Sequence, residues 1–104
     1  MTPPSEEGFL QAVLELAALR GWRSFHARPG RALRGWRTAV QGDGAGFVDL
    51  LLVRGGRLIM AELKSDRGRV SRLQHAWLAA LRQTAAEVHV WRPCNFPDII
   101  KALE

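Results

Sequence analysis

Three ionisable residues interrupt apolar stretches in a pattern that could do chemistry. Glu62 and Lys64 stand two apart in and just after the run 58–63, and Asp49 sits inside the run 47–53. A carboxylate carried into an apolar strand is costly unless something compensates it. Two carboxylates and an ammonium brought together have a use: Mg²⁺ prefers hard oxygen ligands, often one or two carboxylates with water and substrate phosphate completing the shell. Such a metal could generate hydroxide from bound water and stabilise charge at a phosphodiester. Lys64 could orient the attacking water or offset phosphate charge. The plain alternative is a local ion pair in which Lys64 neutralises two acids at a strand end.

Whether the three meet depends on the hairpin that must carry them. Gly55-Gly56, flanked by Arg54 and Arg57, is a two-residue turn signal between the two runs. A two-residue turn pairs Arg54 with Arg57, Val53 with Leu58 and, continuing inward, Asp49 with Glu62. Directly opposed residues project from one face with Cβ atoms roughly 4.5–5.5 Å apart, where like charges repel. Lys64 returns to that face because strand side chains alternate. Both runs are apolar on both faces, which predicts a sheet covered on each side.

The rest of the chain must supply that cover. Ser5 begins a helix whose apolar residues, among them Phe9, Val13, Leu16 and Ala17, recur at helical spacing until Gly21. Residues 22–26 read as a short strand. Residues 29–46, rich in glycine and arginine without a period, read as a long loop with a helical turn near 33–36. Residues 66–69 form a turn. Ser71 opens a helix with Leu73, Trp77, Ala80 and Leu81 on one stripe, and Ser71-Arg72-Leu73-Gln74 fits a capping box. Residues 87–91 make a strand ended by Pro93. Asn95 can cap a short final helix with Ile99, Ile100 and Leu103 packing inward. The expected order is α-β-β-β-α-β-α, one domain over residues 1–104 without internal repeats.

Composition narrows the partner. The net charge of +5 and a pI near 11 suggest a polyanion, most commonly nucleic acid. No acidic residue lies between Leu16 and Gly42, where six arginines stand: Arg20, Arg23, Arg28, Arg31, Arg34 and Arg37. Uncompensated arginine attracts phosphate, although a solvated arginine-rich surface is the simpler reading. Trp36 is the tryptophan placed for contact with DNA, whereas Trp77 and Trp91 fall on core stripes. No run of about 18 apolar residues occurs, which argues against a membrane span. The N-terminal MTPPSEEGFL lacks the features of a signal peptide. A single cysteine, Cys94, allows no internal disulfide and fits an intracellular, cytoplasmic setting. His26, His75 and His89 show no zinc-type spacing.

DLLLVRGGRLIMAELK resembles the core of the PD-(D/E)XK nucleases, with Asp49, Glu62 and Lys64 at the metal and catalytic positions. Within that superfamily the chain is most similar to virus-type replication-repair nuclease (VRR-NUC) domains, including small stand-alone forms from phages and bacteria. The blocks SEEGFLQAVLELAALRGW, GFVDLLLVRGGRLIMAELK, SRLQHAWLAALR and EVHVWRP carry the resemblance. It implies an α/β fold with a restriction-endonuclease-like core, α-β-β-β-α-β with a short C-terminal helix, and a mixed sheet flanked by helices. It also implies a Mg²⁺- or Mn²⁺-dependent endodeoxyribonuclease, acting as a homodimer on branched DNA such as Holliday junctions in DNA repair. Asp49 and Glu62 would hold the metal, with Lys64 catalytic. The family's first helix supplies a glutamate, matched by Glu6 or Glu7; Glu6 shares the stripe of Phe9 and Val13. Its second helix brings a glutamine near the lysine, matched by Gln74, a role compatible with the capping box.

Phosphate contacts are expected from Arg28, Arg31, Arg34, Arg37, Arg67, Arg69 and Arg72. Two departures stand out: Val48 precedes Asp49 where the family usually has proline, and segment 31–44 looks longer than its counterpart. Two alternatives remain on the sequence alone. One is a non-catalytic DNA-binding module, against which the intact Asp49, Glu62 and Lys64 set argues. The other is a restriction- or nicking-type nuclease acting on duplex DNA with a partner protein.

Overall fold

A computed structural model describes residues 5–27 and 42–104, together with the backbone of Gly30–Ala32 and Gly35–Arg37. Helix α1 (Glu6–Leu19) begins where Ser5 Oγ accepts the Gly8 N–H at 3.0 Å, which satisfies one of the helix's free donors. Its buried stripe is Phe9, Val13 and Ala17, one residue per turn. Strand β1 (Arg23–His26) follows. Next come β2 (Gly30–Ala32) and β3 (Gly35–Arg37), which pair antiparallel with Arg31 opposite Trp36. The helical turn expected near 33–36 is therefore corrected, since Gly35 and Trp36 lie in a strand. A lack of hydrophobic period concealed a two-stranded ribbon that is separate from the main sheet.

Strands β4 (Leu50–Arg54) and β5 (Arg57–Leu63) form the hairpin in the predicted register, from Arg54 opposite Arg57 to Leu50 opposite Ala61. Gly55 takes φ +59, the left-handed conformation a tight turn requires and a side chain resists. Helix α2 (Arg72–Leu81) crosses from β5 to the parallel strand β6 (Glu87–Trp91). A single 3₁₀ turn (Pro93–Asn95) leads into α3 (Phe96–Ala102). The main sheet runs β1-β4-β5-β6, antiparallel except for the β5/β6 pair. The chain thus has a mixed α/β architecture.

Strand alternation divides the core in two. Leu50, Leu52, Ile59, Ala61 and Trp91 pack with Phe9, Val13 and Ala17 of α1 and with Ile99 and Leu103. On the opposite face Met60 meets Val48 and Leu78 of α2, flanked by Leu51, Val88 and Val90. Val48 is only 2% exposed, so it fills this second layer and leaves β4 to start later than the expected residue 47.

Two further expectations are corrected. The inward stripe of α2 is Gln74, Leu78 and Leu81, whereas Leu73 is 55% exposed and Ala80 is exposed. Both stripes satisfy helical spacing. Trp77 is instead engaged by the loop before β4, its Nε1 donating to the Asp43 carbonyl, while Gln74 faces the sheet. At the C-terminus Asn95 makes no side-chain cap; its Oδ1 accepts the Arg92 N–H at 2.9 Å, and Ile100 faces outward while Ile99 and Leu103 are buried.

The turn end of the hairpin is bolted down by arginine. Arg54 and Arg57 lie over the Trp22 ring at 4.6 and 4.9 Å from its centroid. Arg57 forks onto Glu87, and Trp22 Nε1 donates to the Leu103 carbonyl at 3.0 Å. No helix among the described residues is long and apolar enough to cross a membrane.

Candidate active site

The other end of the hairpin is where the charges gather. Glu62 lies on β5 next to Ala61, the partner of Leu50, and Asp49 immediately precedes Leu50. The chain bends at Asp49 rather than continuing the ladder. One Asp49 oxygen, Oδ2, accepts the Leu63 N–H at 3.0 Å, which ties the carboxylate to the opposite strand beside Glu62.

Glu62 is 1% exposed, the single charged residue among the buried ones described. It lies on the face that α2 covers. Burial first, and then the hydrogen bond and negative charge of Asp49, push the Glu62 carboxyl up to about 8, with Lys64 opposing in part. Lys64 Nζ stands 3.7 Å from Glu62 Oε1, too far for a hydrogen bond. The ion-pair reading of Lys64 is therefore incomplete: the ammonium is near but does not satisfy the acid.

Gln74 does both things weighed from the sequence. Its Oε1 accepts the Ser71 N–H at 2.8 Å, closing the capping box, and its Nε2 donates to Glu62 Oε1 at 2.9 Å. The box fixes the rotamer, and the free end of the amide points at the acid. Glu62 Oε2 is left buried with no hydrogen-bond partner. No donor of the fold reaches this oxygen, so without metal only a proton held beside Asp49 can satisfy it, and the same pair of oxygens is what a hard divalent cation takes. The residues present therefore fit such an ion. No cluster of three or more His, Cys, Asp or Glu side chains with metal-binding geometry occurs among the described residues.

Glu6 and Glu7 are exposed in the first turn of α1, on the helix covering the opposite sheet face, and make no hydrogen bond or ion pair to Asp49, Glu62, Lys64 or Gln74 among the described residues. Arg67, Arg69 and Arg72 are exposed on the segment leaving Lys64 and entering α2. Arg28 and Arg34 lie outside the described residues, as do the side chains of Arg31, Trp36 and Arg37.

Two supports escaped sequence reasoning. Arg92 Nη1 donates to the carbonyls of Ser65 and Gly68, both at 2.7 Å, and holds the turn that follows Lys64. The loop before Asp49 docks on α2, with Trp77 Nε1 donating to the Asp43 carbonyl at 2.9 Å and Phe47 meeting Trp77 edge-on. Backbone carbonyl partners leave no residue pattern to read. Only Arg92 directly after a strand and Gly46 shortly before Asp49 offered a hint.

A mixed sheet between helices, with one acid entering a hairpin strand and an acid-x-lysine leaving its partner, is the arrangement of a PD-(D/E)XK-type nuclease. The chain belongs to the VRR-NUC family: the model of the VRR-NUC domain matches residues 9–93, most of its length. Among curated proteins and solved structures nothing matches the chain significantly. Family membership makes this a nuclease domain of the PD-(D/E)XK type, with DNA as the implied substrate.

Proposed function

We propose that the protein is a Mg²⁺- or Mn²⁺-dependent DNA endonuclease in which Asp49 and Glu62 hold the metal. The carrying observation is the buried Glu62 carboxylate, with Oε1 taken by Gln74 and Oε2 left without a partner beside Asp49. When bound there, the cation supplies positive charge at the scissile phosphodiester and acidifies a water.

The chain's own residues do the rest. Gln74 holds Glu62 by Oε1 and leaves Oε2, buried beside Asp49, to the metal. The Leu63 N–H fixes Asp49 through Oδ2 beside Glu62. Lys64, two residues past Glu62, presents an ammonium to the attacking water or to a phosphate oxygen. Arg67, Arg69 and Arg72 bind backbone phosphates, joined by Arg28, Arg31, Arg34 and Arg37. Glu6, exposed in the first turn of α1, is the further acid that the family resemblance implies for the site. Residues 1–104 act as one intracellular domain. As in the stand-alone relatives it resembles, the chain works as a homodimer on branched DNA such as Holliday junctions, two sites meeting two strands.

Incubating junction, flap, duplex and single-stranded DNA with Mg²⁺, Mn²⁺ or EDTA tests this. Metal-dependent cutting that Asp49→Asn abolishes supports the enzyme, and binding without cutting under every metal refutes it. Cutting of plain duplex at a fixed sequence would replace the junction assignment, and a monomer in light scattering at high concentration would remove the two-site scheme.

A further inference from the structure

We propose that Gly46 is a positioning residue: its missing side chain lets the loop before Asp49 seat against the first turn of α2, and this sets the height from which Gln74 reaches Glu62. The inference rests on the site reading above and adds a residue to it.

Helix α2 needs such a stop. Leu78 is its one buried residue, so the sheet grips it weakly near the N-terminus. There the loop takes over, with Asp43 and Phe47 both holding Trp77. Between them Gly46 lies against the helix backbone. A Cβ built on Gly46 would come within 2.6 Å of Leu73 Cβ, 2.7 Å of Leu73 C and 3.0 Å of Gln74 N. Two of these are main-chain atoms and cannot swing aside. Relief to ordinary carbon contact requires the loop and helix to part by on the order of 1 Å. The Gln74–Glu62 hydrogen bond is 2.9 Å long, and a change of that size takes it beyond bonding range. The capping box prevents Gln74 from following by a change of rotamer. Gly46 also takes φ +82, so glycine is favoured there twice over. Gly42, in the same loop, takes φ +68 with nothing within 4 Å of its virtual Cβ; it separates backbone strain from contact.

The experiment reads the Gln74 side-chain amide in ¹⁵N-labelled, metal-free protein, with Gln74→Ala identifying its resonances. Gly46→Ala should move that NH₂ pair to free-amide positions and remove its exchange protection, whereas Gly42→Ala leaves it unmoved. Trp77→Phe, which deletes the bond to Asp43 but keeps an aromatic ring, should move it part of the way. It carries the test should Gly46→Ala not fold. Mn²⁺ titration adds a cycle: Gly46→Ala should weaken binding about tenfold in the native background and less than about twofold in Gln74→Ala, because both act through one outer contact to the ligand. An unmoved amide, or an equal loss in both backgrounds, overturns the proposal. If the protein binds no Mn²⁺ at all, the metal-site reading fails, and the amide spectra still decide whether Gly46 places Gln74.

Discussion

Glu62→Gln should stabilise the metal-free protein at alkaline pH, and the size of the gain follows from where the carboxyl sits. In the fold it titrates near 8, against about 4.5 when free. The folded state therefore binds a proton more tightly than the unfolded state. The protonated acid's contribution is fully present below about pH 4.5 and is lost as pH rises through 8. At roughly 1.4 kcal/mol per pH unit across that window, the loss is several kcal/mol and at most about 5. Gln keeps the shape and a hydrogen-bonding head without the charge, so the substitution should be near neutral at pH 5 and worth several kcal/mol at pH 8.5.

His89 works in the other direction over the acid part of the range. Burial lowers its pKa, so its contribution grows as pH rises toward 6.5. The difference between native and variant isolates Glu62, because both chains carry His89. The assay is urea unfolding from pH 5 to 9 with EDTA. Added Mg²⁺ at pH 8 should restore stability to the native chain and not to the variant, as binding to the folded state alone requires. A native-minus-variant difference that stays flat with pH would refute the reasoning, because Glu62 would then ionise in the fold as it does in water.

Two predictions concern other parts of the molecule. Trp22→Phe removes the Nε1 bond to the Leu103 carbonyl and part of a buried ring, and should cost about 1–3 kcal/mol in urea unfolding. Cleavage at saturating metal should be unchanged, since the ring lies at the turn end of the hairpin. Replacing Arg67, Arg69 and Arg72 singly by Gln should weaken DNA binding at every sequence and lower the slope of log K against log salt by about one per arginine that contacts phosphate. A slope unaffected by all three would remove that segment from the interface.

The hairpin was legible because its rule is local: Gly55-Gly56 sets a register, and the register brings Asp49 and Glu62 together. Their convergence followed from the sequence down to the face of the sheet. The rotation of α2 was not legible. Leu73-Trp77 and Gln74-Leu78 both fit a helical stripe, and apolar content favoured the wrong one, because the use of Trp77 by a loop more than thirty residues away is a tertiary fact. The ribbon of β2 and β3 was missed for a related reason, since strands of this length carry no measurable alternation. Glu6 shows the limit of a stripe argument. It shares the heading of Phe9 but sits where the helix starts, and a side chain in the first turn can leave the core.

The two ends of one hairpin have opposite energetics, and this difference is the reason the site can exist. At the turn, Arg54 reaches the carbonyls of Arg20, Leu103 and Glu104, while Arg57 joins Glu87 and the Ala102 carbonyl; nearly every charge there meets a partner. At the open end a buried carboxylate keeps one oxygen unsatisfied and faces a second acid. A fold seeking only stability would place no ionisable group at position 62. The strands are registered from the far end, so the acid pair cannot relax by slipping; a one-residue slip would exchange the β4 side chains packed on the α1 side with those packed on the α2 side. The rigidity of the arginine-bound turn thus holds the acids in a geometry that a proton relieves below about pH 8 and that a cation can relieve in its place. The proton held by Glu62 in the metal-free protein must leave when a cation binds, so metal affinity should rise with pH up to about 8.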